Sequence, residues 1–226
     1  MEIEGDCMSK KEEIIHIMQS MIGRYSYYEV YNDWVKLCAL VMQNNITYKH
    51  DEVWKTRENQ YIDTIKKYSK DEQKKLIKMF YLLWDAFEEN MSDILGEIYM
   101  ESGCSNKNTG QFFTPFHISY LTAQTAVPMD ICEDNKLIMN EPSTGGGGMI
   151  IAAAKVLKER GLNYQKCMRV TAQDLDWHGV YMTYVQMCVL GIKGIVLQGS
   201  SISKENIADY PEERIFRTPA KMGAIW

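Results

Sequence analysis

The sequence predicts an α/β fold in which an N-terminal helical domain precedes a parallel β-sheet with flanking helices. Three observations support this prediction. Apolar residues recur at helical spacing through residues 10–100. From Lys136 onward, short β-rich runs alternate with helical ones. Four consecutive glycines, Gly145 to Gly148, separate the first of these strands from its helix.

The helical domain is expected to occupy residues 1–107. Its clearest feature is a capping box, in which Ser69 is followed by Glu72, ahead of an amphipathic helix over residues 74–90. The aromatic and aliphatic stripe of this helix is interpreted as core. Further helices are expected over residues 12–22, 28–44, 51–68 and 90–102.

The second domain is expected to occupy residues 108–226. Strands are predicted at 136–140, 168–173 and 194–199, with helices at 148–160 and 176–191 between them. Gly161 follows the first of these helices, where a glycine commonly ends a helix. A strand–helix–strand–helix–strand order implies parallel strands joined by right-handed crossovers.

Composition excludes several classes of protein. The 226 residues include no apolar stretch near the roughly 20 residues that a membrane helix needs. The first residues are acidic and polar, unlike a secretory signal, so a cytoplasmic location is expected. A net charge of −5 argues against strong autonomous binding to nucleic acid. The cysteines are spread out and pair with no histidine at zinc spacing, so we expect reduced thiols and no metal site.

The glycine run lies where doubly wound sheets bind nucleotide-like cofactors. No Lys-Ser or Lys-Thr follows the glycines, which excludes a P-loop, and the pattern G-x-G-x-x-G is also missing. What remains is an acid, Glu141, at the end of the first strand, followed by the turn with Gly145 and Gly147. A second acid, Asp174, ends the second strand, where it can accept hydrogen bonds from ribose hydroxyls.

Two segments, "NTGQFFTPFHISYLTAQ" and "NEPSTGGGG", carry a specific resemblance. Together with "TAQDLD" further on, they resemble the modification subunits of type I restriction–modification systems. These are N6-adenine DNA methyltransferases that use S-adenosyl-L-methionine, with a class I, Rossmann-like fold. The closest likeness is to short versions found on mobile elements. The resemblance runs from about Asp93 to Gly199.

This resemblance implies roles for individual residues. The loop with Gln111, Phe113, Thr114 and Pro115 would lie over the methionine part of the cofactor. Glu141 would face the amino-acid end of the cofactor or an ordered water near it. The turn with Gly145 and Gly147 would pass beneath the cofactor, and Asp174 would hold the ribose. Ser200 stands where the family usually has an acid near the adenine.

The motif that captures the target base in this family, [DNS]-P-P-[YFW], is absent. The chain has five prolines, and no two are adjacent. The segment "FRTPAK" is interpreted as a structural tail, with a rebuilt base pocket as the alternative, in which Phe216 or Trp226 would stack on the base. The catalytic residues are therefore unknown.

The predicted sheet is also truncated, because full domains of this class have about seven strands and only three, with "ERIFRT" as a possible fourth, are found here. The first strand would then lie near an open sheet edge. We expect residues 212–226 or a second subunit to cover it. Expected partners are DNA, through a complex, and a specificity or second modification subunit, or a second copy of the chain. The alternatives to methylation of DNA are a catalytically inactive cofactor-binding or interaction module and methylation of another substrate.

Overall fold

The computed structural model describes residues 8–101, 113–202 and 206–223. In chain order the helices are α1 (Lys10–Gln19), α2 (Tyr27–Asn45), α3 (Glu52–Ile65), α4 (Lys70–Glu89), α5 (Ile94–Glu101), α6 (Phe116–Ala126), α7 (Gly148–Glu159), α8 (Tyr164–Cys167), α9 (Trp177–Val189) and α10 (Pro219–Met222). The strands are β1 (Leu137–Glu141), β2 (Met168–Asp174), β3 (Gly194–Gln198) and β4 (Ile215–Arg217). The composition of "CSNKNTG" predicts a polar loop at residues 104–110, and this segment lies outside the described residues.

Local sequence signals set the helix starts. Ser9, Ser26 and Ser69 each cap a helix and pair reciprocally with a glutamate three residues later. The capping box expected at Ser69 is therefore confirmed. At the other end of a helix, Gly161 has φ +77°, which a glycine adopts without a steric penalty.

The fold class predicted from the sequence is confirmed. Strands β1, β2 and β3 are parallel neighbours in that order, and helices α7 and α9 connect them. The fourth strand departs from a purely parallel sheet, because β4 pairs antiparallel with β3. Three residues paired with a distant strand leave no periodic pattern, so the direction of β4 had no signal in the sequence.

The two edges of the sheet differ. β4 closes the edge at β3, whereas β1 pairs only with β2 among the described residues. The expectation that residues 212–226 cover the edge at β1 is therefore wrong for the described part of that segment. Since Ile215–Arg217 hydrogen-bonds to β3, this part of the tail lies on the opposite side of the sheet.

One face of the sheet at β1 is also uncovered. Ile138 pairs with Arg169, and Asn140 pairs with Thr171, so all four side chains lie on one face. Ile138 is 74% exposed. The opposite face packs against α7 and α9. A doubly wound sheet normally has both faces covered, so β1 presents an open edge and an open face together.

The main apolar core contains residues from both halves of the chain, and a small second cluster is formed by Leu197, Tyr210 and Ile215. Helix α2 packs along α9, and α1 packs along α4. The boundary at residues 107 and 108 stays a prediction.

Arg57 of α3 ties the C-terminal strand to the helical region. Its guanidinium donates hydrogen bonds to the backbone oxygens of Glu212 and Ile215, each at 3.0 Å. It also lies over the ring of Phe216, 4.9 Å from the ring centre. Phe216 is only 1% exposed. This ring is therefore part of the core and is not placed to stack on a base.

Candidate functional site

The glycine turn connects β1 to α7 at the carboxyl end of the sheet. Thr144 donates a backbone hydrogen bond to the carbonyl of Gln173 in β2, which holds the turn against the neighbouring strand. Gly145 has φ +53° and Gly147 has φ +95°, a left-handed region that other residues rarely adopt. Gly147 is the N-cap of α7, so the turn leads directly into the free N–H groups of that helix.

Protein groups lie close to three of the glycines, and at Gly145 and Gly146 they leave no room for a side chain unless a neighbour shifts. A Cβ on Gly145 would lie 2.8 Å from the ring of Phe113, and one on Gly146 would lie 2.5 Å from the carboxylate of Asp93. A Cβ on Gly147 would lie 3.1 Å from the hydroxyl of Thr183. The glycines are thus required by neighbouring elements of the chain itself.

A cavity of about 360 Å³ opens above this turn. Its lining includes Phe113, Thr114, Gly145, Asp174 and Asp93. The remaining lining residues are Ser119, Ser143, Thr144, Gly146, Gly148 and Met149. The charged groups of this lining are both acids, and no lysine or arginine is among these described residues. Such a cavity suits a cationic or neutral ligand better than a phosphate.

Asp174 is bound to the turn that it faces. One carboxylate oxygen accepts a hydrogen bond from the backbone N–H of Gly145 at 2.8 Å, and the other accepts one from Asp176 at 2.9 Å. Each carboxylate oxygen can accept more than one hydrogen bond. The half-buried carboxylate therefore retains capacity for two ligand hydroxyls, as a ribose would require.

Asp93 is a site residue that the sequence interpretation missed. It is 4% exposed, and its Oδ1 accepts hydrogen bonds from the backbone of Gly96 at 2.9 Å and from the Gln186 side chain at 2.7 Å. Gln186 also donates to the carbonyl of Gly146 at 2.5 Å. Burial raises the pKa of Asp93 above its ordinary value of 3.8. The available signal was an acid just before a short helix, which usually indicates only an N-cap.

The other predicted site residues lie at varying distances from the cavity. Pro115 lines an adjoining cavity of about 560 Å³, on the other side of Phe113 and Asp93. Glu141 is half-buried at the end of β1, and burial raises the pKa of its carboxyl, with the charge of Asp174 adding to the effect. Gly147 faces Thr183, and the Ser200 hydroxyl accepts a hydrogen bond from Ile202. Glu141, Gly147 and Ser200 do not line the cavity above the turn. Gln111 lies outside the described residues.

A parallel sheet with a glycine turn after its first strand and an acid after its second defines a Rossmann-like cofactor-binding protein. Comparison with protein families narrows this class to one family. Residues 89–219, more than half of the chain, match the family described as N-6 DNA Methylase. The chain belongs to this family, as its resemblance to N6-adenine DNA methyltransferases predicted.

Two solved structures are similar to this chain. One is a putative class I S-adenosylmethionine-dependent methyltransferase from Listeria monocytogenes, with 13% identity and a TM-score of 0.49 over 88% of this chain and 55% of that one. The other is a type I restriction–modification methyltransferase subunit from Streptococcus thermophilus, with 12% identity and a TM-score of 0.47 over 90% and 59%. The chain thus spans little more than half the length of each. No curated protein sequence matches it.

The cofactor of the family is S-adenosylmethionine, as the resemblance implied. The residues around the cavity fit it, because an adenosine with a sulfonium group and a free amino acid carries positive charges that two carboxylates can balance. Within residues 8–101, 113–202 and 206–223, no cluster of side chains suits a metal ion, and no helix has the length and apolarity of a membrane span.

Proposed function

We propose that the chain is the cofactor-binding part of an N6-adenine DNA methyltransferase system, acting in restriction–modification or on a mobile element, and that it needs a partner for DNA binding and base capture. One observation carries the proposal: the glycine turn, with its helix N-terminus, opens into a cavity whose charged groups are Asp93 and Asp174. Although a helix N-terminus by itself attracts anions, the two carboxylates disfavour a nucleotide phosphate and favour a ligand that carries positive charge.

The proposed binding mode follows from the lining of the cavity. Asp174 holds the ribose hydroxyls while it remains bonded to Gly145. Phe113 and Thr114 flank the methionine part, and Glu141 lies outside the cavity lining, where its carboxyl accepts a hydrogen bond from the backbone N–H of Ser143. S-adenosylmethionine supplies an electrophilic methyl group when bound. The cofactor would supply this methyl group to an adenine N6 amine of DNA, with S-adenosylhomocysteine and a proton released, and the chain's own residues would bind and orient the cofactor.

The C-terminal tail has no exposed side chain at Phe216 or Thr218 with which to capture a base, and this supports the need for a partner. An adenine pocket built from Thr218 and Pro219 would need a free hydroxyl, but Thr218 is 0% exposed. Its Oγ1 bonds to the backbone N–H and carbonyl of Gly194, at 3.1 and 3.2 Å. Phe216, the proposed stacking ring, is in the core, and Trp226 lies outside the described residues. These observations favour base capture by another chain.

The open edge at β1 is the proposed contact for that partner. An unpaired strand beside an uncovered face favours the addition of another strand or subunit. The occupant is a specificity or second modification subunit, or a second copy of the chain. DNA would be contacted through this complex, since the net charge of −5 disfavours strong binding by the chain alone.

A catalytically inactive cofactor-binding or interaction module is the second candidate function. The buried Phe216 and Thr218 favour it, because neither of these two residues is free to receive a base. Methylation of a substrate other than DNA is a weaker third candidate, because it would also require the tail to form the pocket.

Calorimetry with S-adenosylmethionine and ATP tests the cofactor site. We expect S-adenosylmethionine to bind and ATP to bind at least about tenfold more weakly, because the triphosphate would face acids without a basic side chain. Equal affinity for the two ligands would contradict the argument from charge. No binding of S-adenosylmethionine at high micromolar concentration would remove the first and third candidate functions.

Transfer of a tritiated methyl group to DNA tests the activity. We expect incorporation only when the products of neighbouring genes are added to the chain. Incorporation by the purified chain alone would show that the tail does form a base pocket. No incorporation under any combination, together with tight cofactor binding, would favour the inactive module.

A further inference from the structure

We propose that Asp93 and the N-terminus of α7 together form a receptor for the zwitterionic amino-acid end of the ligand, in which Asp93 receives its ammonium group. This inference rests on the proposed cofactor site and goes beyond it, because it assigns one end of the ligand to a residue of the helical region.

The position of Asp93 along the cavity separates it from the ribose end. Asp174 bonds to Gly145 at the beginning of the turn. Asp93 lies further along, near Gly146 and Gly148: a Cβ on Gly148 would be 3.3 Å from its Oδ2. Both acids line the same cavity. A ligand whose ribose lies at Asp174 therefore extends its other end towards Asp93 and the start of α7.

Asp93 is a buried acid without a cationic partner. Its Oδ1 accepts both of the hydrogen bonds described for it. The nearby charge of Glu97, another acid, adds to the rise in its pKa. Within the described residues, no lysine or arginine forms an ion pair with it. A buried carboxylate is costly unless it is paired with a cation. A bound ammonium group would supply the missing charge.

Ser119 provides an independent observation that points to a ligand. Its side chain is completely buried and lines the same cavity, and its hydroxyl has no hydrogen-bond partner among the described residues. An orphaned buried hydroxyl is uncommon in native proteins. The free backbone N–H groups at the start of α7, which begins at Gly148, offer a site for a carboxylate. Acid, hydroxyl and helix N-terminus together complement a zwitterion.

The test compares two ligands in the wild type and in Asp93→Asn. S-adenosylhomocysteine keeps the amino acid, and methylthioadenosine lacks it. Asparagine keeps Oδ1 as the acceptor for Gly96 and Gln186, and it is as good an N-cap as aspartate. We expect the substitution to weaken S-adenosylhomocysteine about 10- to 100-fold, the range of a hydrogen bond to a charged group, and to leave methylthioadenosine within about threefold.

Asp134→Asn is the matched control, because it removes the same charge from an exposed loop before β1. It should change neither affinity. Equal weakening of both ligands by Asp93→Asn, or of neither, would overturn the assignment of the ammonium group. If the wild type binds neither ligand, the cofactor site itself is wrong. If it binds methylthioadenosine as tightly as S-adenosylhomocysteine, the cofactor site stands and the zwitterion receptor does not.

The stability of the unliganded chain gives a second readout. Because burial raises the folded pKa of Asp93 above 3.8, the wild type loses stability as pH rises from that value through the folded pKa. Asp93→Asn removes this loss, so the variant should match or exceed the wild-type stability at neutral pH. A marked loss of stability would indicate a structural role instead. The other titratable groups lining the two cavities with Asp93, which remain in both proteins, are Glu97, Glu101, His117, Tyr120, Lys155 and Asp174.

Discussion

Gly146 illustrates how a neighbouring side chain determines a residue choice. It has no positive φ, so its backbone would accept alanine, but Asp93 occupies the space where the Cβ would be. The carboxylate cannot move aside freely, since Gly96 and Gln186 hold it by hydrogen bonds. The absence of a side chain at this position is therefore explained by packing within the protein.

Gly146→Ala is expected to lower the free energy of unfolding by about 1–3 kcal/mol, the range for overpacking a buried site. Gly148→Ala is the matched control. Its Cβ would be 3.3 Å from Asp93, and alanine favours the helix that begins there, so we expect less than about 1 kcal/mol. Urea denaturation measures both. Equal losses would contradict the role assigned to the Asp93 contact.

What the sequence predicted at this scale depended on local patterns. The glycine turn and the strand-end acids were found because strand, turn and helix are adjacent in the chain. Asp93 and Ser119 were not assigned a role, because their approach to the turn depends on how α5 and α6 pack on α7 and α9. Single-sequence patterns do not carry that information.

At the scale of elements, the apolar periodicity of the sequence was sufficient to predict the strands β1, β2 and β3 and the helices α7 and α9. Each lies within a few residues of its predicted bounds, because each is long enough to show an apolar period. The pairing of β4 with β3 was not predictable from periodicity, since it is made between segments distant in the sequence, as are the contacts of Arg57 with this strand. The arginine donates to the carbonyls of Glu212, which precedes the strand, and of Ile215, its first residue, and it covers Phe216.

Arg57→Lys is expected to destabilise the chain by about 2 kcal/mol, because lysine lacks the planar guanidinium that covers the Phe216 ring and places Nη2 within reach of both carbonyls. The amides of β4 should also lose protection in hydrogen exchange. Arg24→Lys is the control, since Arg24 is largely exposed and lies 3.7 Å from Glu72. Unchanged protection of β4 in Arg57→Lys would show that β3 alone holds the strand.

At the scale of the whole molecule, the sheet is closed at one side and open at the other. β4 covers β3, while β1 has a free edge and an exposed Ile138 on an uncovered face. The sequence predicted the open edge, because few strands could be counted. It did not predict which edge the tail would close, since strand pairing between distant segments has no local signal.

The purified chain is expected to self-associate through β1 in a concentration-dependent way. Ile138→Lys should shift it towards monomer, because a lysine opposes strand addition and adds charge next to Arg169. Ile77→Lys makes the same change at an exposed isoleucine of α4 and should have little effect. Size-exclusion chromatography with light scattering measures the mass. A wild type that stays monomeric at all concentrations would contradict self-association.

The contact between Asp93 and the glycine turn also limits which segments of the chain can be exchanged by recombination. The acid comes from the helical half of the chain, and the gap that it fills comes from the other half. A recombination event that exchanged the helical half would leave the gap empty unless the incoming segment brought a side chain of the same size and charge. The two segments are therefore expected to change together over evolution.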